Sequence, residues 1–141
     1  MAASDTTRLL LEAHRALASE FVDEMGERGW EDARPGHAAL FMHIERRSGT
    51  RLTELARRSR MTKQGMMLLV DDLEQRGYVR RVPDPEDARA KIVRLTARGR
   101  RYVAEARRAV ATIEVRLRRD LGQRGYEALQ DALTFLAGVE N

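Results

Sequence analysis

Two short runs of side chains carry the polar chemistry available to this chain. The first is Asp87-Ala88-Arg89, an acid and a guanidinium two residues apart, directly after Pro83-Asp84-Pro85-Glu86. A Pro-Asp-Pro sequence cannot continue a helix, so this pair belongs at the tip of a turn. The second is Thr62-Lys63-Gln64, which offers a hydroxyl, an ammonium and an amide on successive residues. Hydroxyl and ammonium groups suit phosphate, and a primary amide suits the donor and acceptor edge of a base. Covalent chemistry has no comparable support. There is no glycine-rich phosphate loop, no G-x-S-x-G elbow and no H-E-x-x-H, so the chain is not expected to be an enzyme and no cofactor is expected. His37 and His43 lie six residues apart, about 240° around a helix, and His14 has no second ligand at helical spacing, so no metal site is expected. The chain has no cysteine, which excludes disulfides, thiolate zinc sites and thiol redox sensing within it.

The elements that must position these runs can be read from periodicity. From about Thr6 to Gly26, Leu10, His14, Leu17 and Phe21 with Leu11, Ala18, Val22 and Met25 form an apolar helical stripe wider than one core requires. Pro35 opens a second helix with Ala38, Leu40, Phe41 and Ile44 as its buried face, closed near Ser48-Gly49. A short helix follows over Leu52–Arg58. Thr62 then reads as an N-cap and Gly77 as the glycine past a helix end, with Met66, Leu69, Val70 and Leu73 at i, i+3, i+4, i+7 between them. The opposite face of that helix includes Gln64, Met67, Leu68 and Asp71. Tyr78–Val82 and Lys91–Leu95 read as two strands around the Pro/Asp turn. Val103, Ala106, Val110, Ile113 and Leu117 follow at alternating spacings of three and four, a coiled-coil-like seam. A break at Gly122–Gly125 precedes a last helix with Leu129, Ala132, Leu133, Leu136 and Val139.

The 141 residues suit one domain, and the formal charge is only +4. That total hides a division. Arg46 to Arg101 holds 16 basic and 7 acidic residues, net +9, while the remainder is net −5. The longest run without Asp, Glu, Lys or Arg is Pro35–Ile44, far short of the about 18 residues that a membrane helix needs. No signal peptide is recognisable, because Glu12 and Arg15 interrupt Leu9–Leu11, so a soluble cytoplasmic protein is expected. A short helix, a tight connection, a capped second helix and a two-stranded hairpin make a winged helix-turn-helix. Its second helix can enter a major groove, and its hairpin can lay a cation along or into the neighbouring minor groove.

The runs Leu52-Thr53-Glu54-Leu55-Ala56, Met61-Thr62-Lys63-Gln64 and Leu69–Val79 resemble the MarR family of bacterial transcription regulators. Pro83–Lys91, with Asp87 and Arg89 as D-x-R, and Leu95-Thr96-Ala97-Arg98-Gly99 as L-T-x-x-G, resemble that family's wing. The similarity runs through about fifty residues at matching spacing. It implies a mostly α fold of about six helices with a two-stranded wing. Residues 36–100 would be the DNA-binding lobe within a single 1–141 domain, with a helical dimerisation region at 5–30 and 101–141.

The resemblance also implies roles. Arg89 would enter the minor groove with Asp87 orienting its guanidinium. Lys63, Gln64, Met67 and Leu68 would lie in the major groove, and Arg60, Thr62, Arg81 and Lys91 would meet phosphates. Leu10, Leu17, Val110, Ile113, Leu117, Leu133 and Leu136 would build a homodimer, so that two lobes read a pseudo-palindromic operator in double-stranded DNA as a repressor. Relatives are often released from DNA by small aromatic ligands, for which His14, Trp30, His37 and Phe41, with Tyr102 and Arg107 opposite, would be the lining here. Two other uses of the same segments stay open. A winged helix can bind protein through Met67 and Leu68, residues that could equally pack on the first helices, or it can coat DNA without sequence preference.

Overall fold

The computed structural model of the chain describes residues 5–139, so the expected limits at residues 1 and 141 lie outside the described residues. In order it contains α1 (Thr6–Glu27), a 3-10 turn (Pro35–His37), α2 (Ala38–Phe41), β1 (Thr50–Arg51), α3 (Leu52–Arg58), α4 (Lys63–Gln75), β2 (Val79–Pro83), β3 (Lys91–Leu95) and α5 (Ala97–Ala137). The class is mostly α with one small antiparallel sheet, the winged-helix arrangement. The chain divides into two compact units, Val22–Ala106 and the residues up to Phe21 together with those from Arg107 onward.

In the first of these units the helix ends are written in side chains. The Thr62 hydroxyl accepts the backbone N–H of Gly65 at 3.0 Å and starts α4. Thr96 repeats the device at α5, accepting the N–H of Gly99 at 3.0 Å while donating to the Gly77 carbonyl at 2.5 Å. Each cap satisfies one of the N–H groups that a helix start leaves without a partner. At the far end of α4, Gly77 takes φ +81°, and Tyr78 and Gly77 N–H return to the Leu73 and Glu74 carbonyls at 2.9 and 3.0 Å. That Schellman closure turns the chain directly into β2. Arg60 closes α3 in the same left-handed way at φ +53°, without glycine's freedom, and its N–H and that of Met61 return to Arg57 and Ala56. The resulting turn sets α4 across α3.

The core of this unit is continuous. Leu55, Met66, Val70, Leu73, Tyr78, Val79 and Val93 are fully buried, joined by Met25, Leu40 and Tyr102. Fully burying one such aliphatic side chain stabilises by about 1.5–3 kcal/mol. The sheet order is β1-β3-β2, with Val79 opposite Leu95 and Pro83 opposite Lys91. The wing therefore has a third strand, since Thr50 and Arg51 pair with Val93 and Ile92. A two-residue strand has no alternation to read. The second helix is also shorter than its spacing predicts. Helical backbone ends at Phe41, Ala38 is exposed, and Leu40 and Ile44 keep the buried positions.

In the other unit Ala109, Ile113 and Tyr126 are buried, and Arg116 clasps Glu20 through two bonds of 2.7 and 2.6 Å. Gly122 at φ +74°, ψ 165° interrupts α5 where a break was expected. Ile113 faces inward, so the proposed seam is split, with Val110 exposed beside it. Leu9, Leu10, Leu11, Val115, Leu121, Leu133, Phe135 and Leu136 are also exposed, the last two at 84% and 58%.

Gly99 tests the junction of wing and helix. A Cβ there would lie 2.0 Å from the Tyr78 carbonyl oxygen, the same oxygen that accepts the Thr96 N–H. Gly99→Ala is expected to destabilise the chain by about 2 kcal/mol or more, read as a lowered urea midpoint with unchanged slope.

Candidate nucleic-acid interface

Lys63 of one polar run and Arg89 of the other meet in one concavity of about 230 Å³ between the start of α4 and the wing. Its lining includes Arg51, Lys63, Arg81, Arg89 and Lys91, with Met67 between them and no acidic residue. Five cations converge on this hollow, and three of them, Lys63, Arg89 and Lys91, have no acid to offset their charge among the described residues, so it is positive. The flanking α4 surface is open. Lys63, Gln64, Met67 and Leu68 are all exposed, Leu68 at 65%, so Met67 and Leu68 do not pack on neighbouring helices of this unit.

The five cations differ in what already holds them. Arg81 reaches from β2 to α4, donating to Asp71, to Glu74 at 3.2 Å and to the Met67 carbonyl at 3.2 Å. Its N–H also bonds Glu74 at 3.0 Å. Arg81 thus ties the wing to α4 and neutralises two acids on it, a job its expected phosphate contact had not suggested. Arg51 donates from Nε to Asp84 at 2.5 Å and lies 3.8 Å from Glu86. Lys63, Arg89 and Lys91 have no ion-pair partner among the described residues. Asp87 does not orient the Arg89 guanidinium. Its carboxylate accepts the Arg89 backbone N–H at 3.0 Å, which shapes the turn and leaves the side chain to solvent. Thr62 uses its hydroxyl oxygen as a cap, and Arg60 is exposed at the α3–α4 turn.

Arg51 and Asp84 were missed at first reading. Arg51 looked like one more surface arginine, and Asp84 like generic turn filler. The available signal was the Asp84-Pro85-Glu86 order, in which an Asx side chain can accept the N–H two residues on.

Behind α4 lies a second, buried network. Trp30, Phe41, Tyr78 and Tyr102 stack with ring centroids 4.5–6.0 Å apart, and Arg98 lies over Trp30 at 5.1 Å and Tyr78 at 4.7 Å. The Tyr78 hydroxyl donates to Asp32 at 2.5 Å; burial first, then that carboxylate, pushes its pKa up to about 12. His37, 3% exposed, bonds through Nε2 to Asp72 of α4 at 3.0 Å, and Asp72 also receives Arg76 at 3.0 Å. His37 Nδ1 is buried with no partner. Of the expected ligand lining, Trp30 and Phe41 are thus each packed on Tyr78 and Tyr102, with His37 bonded to α4. His14 lies in the other unit on an exposed stretch of α1, as does Arg107 on α5. Among the described residues no group of three or more His, Asp or Glu could hold a metal ion, and no helix is long and apolar enough to cross a membrane.

His37 carries a pH dependence. Burial lowers its pKa from 6.5, against the opposing pull of Asp72, with Arg76 lowering and Asp32 raising it further. The unfolded chain therefore binds the proton more readily, so stability is intact above about pH 6.5 and falls as pH drops below it. Urea unfolding between pH 7.5 and 5 should show this decline, and His37→Gln should flatten it.

Residues 33–90 match the sequence model of the MarR family. Among solved structures, the transcriptional repressor CouR bound to a 23-mer DNA duplex is 27% identical, with TM-score 0.80 over 94% of this chain and 92% of that one. CouR from Rhodococcus jostii RHA1 bound to p-coumaroyl-CoA superposes at TM-score 0.74 and 23% identity, over 98% and 95% of the two chains. The PcaV transcriptional regulator from Streptomyces coelicolor, in complex with its natural ligand, gives 0.77 and 20% over 99% of each. Among curated proteins none matches.

Proposed function

We propose that this chain is a MarR-family transcriptional regulator that binds a pseudo-palindromic operator in double-stranded DNA as a homodimeric repressor. The observation that carries the reading is the basic hollow between α4 and the wing, where Lys63, Arg89 and Lys91 stand without acidic partners beside an exposed Gln64. An α4 of 13 residues is about 20 Å long, enough to lie in a major groove with its N-terminal residues toward base edges. The wing tip then brings Arg89 to the adjacent minor groove, where an arginine reads groove width. The DNA-bound CouR complex supports this use of the fold.

The homodimer is supported by the apolar side chains left exposed on the unit without the wing, among them Leu10, Val110, Leu133 and Leu136. So many large apolar side chains left exposed on one unit are what an interface between copies would cover. Leu17 and Leu117 sit half-buried beside it, whereas Ile113 belongs to the protomer's own interior. Release by a small aromatic ligand is supported by the p-coumaroyl-CoA complex of CouR and the ligand complex of PcaV. In this chain Trp30, Phe41 and His37 would have to open their packing to admit one.

Two measurements test the reading. A duplex selected by the wild-type chain from a random-sequence pool should bind Lys63→Ala with a salt slope reduced by about one. Gln64→Ala should cost roughly 1–3 kcal/mol on that duplex and little on random DNA. Equal losses on both duplexes would make Gln64 a backbone contact, and failure to select any duplex would end the DNA reading in favour of a protein partner for Met67 and Leu68. In sedimentation, Leu136→Glu with Val110→Glu should shift the dimer to monomer.

A further inference from the structure

Asp84 is an acid buried at the base of a basic wing, 5% exposed, directly after β2. An unpaired carboxylate there would repel an approaching phosphate and would be costly to keep from water. Every oxygen it has is engaged inside the wing. Oδ1 accepts the Glu86 N–H at 2.9 Å, and Oδ2 accepts Arg51 Nε at 2.5 Å. Its backbone continues the same ring of bonds, with its N–H to the Ala90 carbonyl at 3.1 Å and its carbonyl to the Asp87 N–H at 3.3 Å. Asp87 then accepts the Arg89 N–H, so the turn that presents Arg89 is built on Asp84.

Arg51 closes the device from the far side of the sheet. It sits on β1, paired with Ile92 of the central strand β3, and reaches a residue that follows β2 on the opposite edge. One side chain therefore spans all three strands and fixes the wing loop against the sheet. A hairpin alone is free to twist and sway, and a guanidinium bonded to a buried carboxylate removes that freedom.

We propose that Arg51 and Asp84 are the positioning pair of the wing, setting the place and direction of Arg89, and that Arg51 is a brace and not itself a DNA contact. This rests on the DNA-binding reading above. It predicts coupling: breaking the brace harms DNA binding only through Arg89. An independent phosphate contact at Arg51 would instead add its loss to any other.

The test is a double-mutant cycle on the duplex selected by the wild-type chain, with affinity measured by fluorescence anisotropy at fixed salt. Arg51→Ala should weaken binding on the order of tenfold alone, and less than about twofold when Arg89→Ala is already present. Asp84→Asn, which keeps an oxygen for the Glu86 N–H, should behave as Arg51→Ala does. Amide exchange at Glu86, Asp87 and Ala90 should quicken in both variants while α4 amides stay protected, which separates a loosened wing from a loosened fold. Equal losses from Arg51→Ala in both backgrounds would make Arg51 a direct contact and overturn the proposal, as would no loss in either. A wild-type chain that selects no duplex would overturn the DNA reading on which it stands.

Discussion

Like charges repel, and between Arg46 and Arg101 this chain carries 16 cations against 7 acids in one compact unit. The fold of that unit is arranged around this constraint. Most of these acids hold a particular cation, often at a joint between elements. Glu54 binds Arg57 and Arg58 along α3; Asp72 binds Arg76 along α4. Asp71 and Glu74 hold Arg81 between α4 and β2, and Asp84 holds Arg51 across the sheet. Exposed pairs of this kind contribute about 0–1 kcal/mol each, so their value lies less in stability than in deciding which cations remain. Lys63, Arg89 and Lys91, which no acid among the described residues holds, line one hollow. A modest net charge thus becomes a concentrated positive surface with a defined shape.

Backbone geometry places that surface. The two threonine caps and the Schellman closure at Gly77 fix α4, β2 and the start of α5 relative to one another within a few residues. Tyr78 is the shared member. Its N–H closes α4, its carbonyl receives Thr96, its ring joins the aromatic stack and its hydroxyl meets Asp32. α4 is further held from behind by His37 on Asp72. α4 therefore rests on a packed and hydrogen-bonded support, while Gln64, Met67 and Leu68 on its outer face are exposed.

The parts legible in the sequence were those governed by local rules. Thr62 and Gly77 marked α4 to the residue, Leu52–Arg58 was found as it stands, and the Pro/Asp turn located the wing. What was not legible depends on partners distant in sequence. β1 is a strand only because Val93 and Ile92 lie beside it. The spacing of Ile113 with Val110 suggested one face, yet tertiary packing buries the first and exposes the second. Arg81 and Arg51 looked like free cations, because the acids that hold them lie 10 and 33 residues away. Asp87 stays local, but its carboxylate accepts the backbone N–H of Arg89 and not the guanidinium.

The aromatic stack has an optical consequence. The chain has one tryptophan, Trp30, so its ultraviolet emission arises from a single place. Trp30 lies 5.5 Å from the ring of Tyr102 and 6.0 Å from that of Tyr78, close enough to collect the light energy absorbed by both. The Arg98 guanidinium covers it at 5.1 Å. Its colour and brightness therefore register whether the ring stack is closed around it, and with it the support beneath α4. The molecule carries its own lamp at the back of α4.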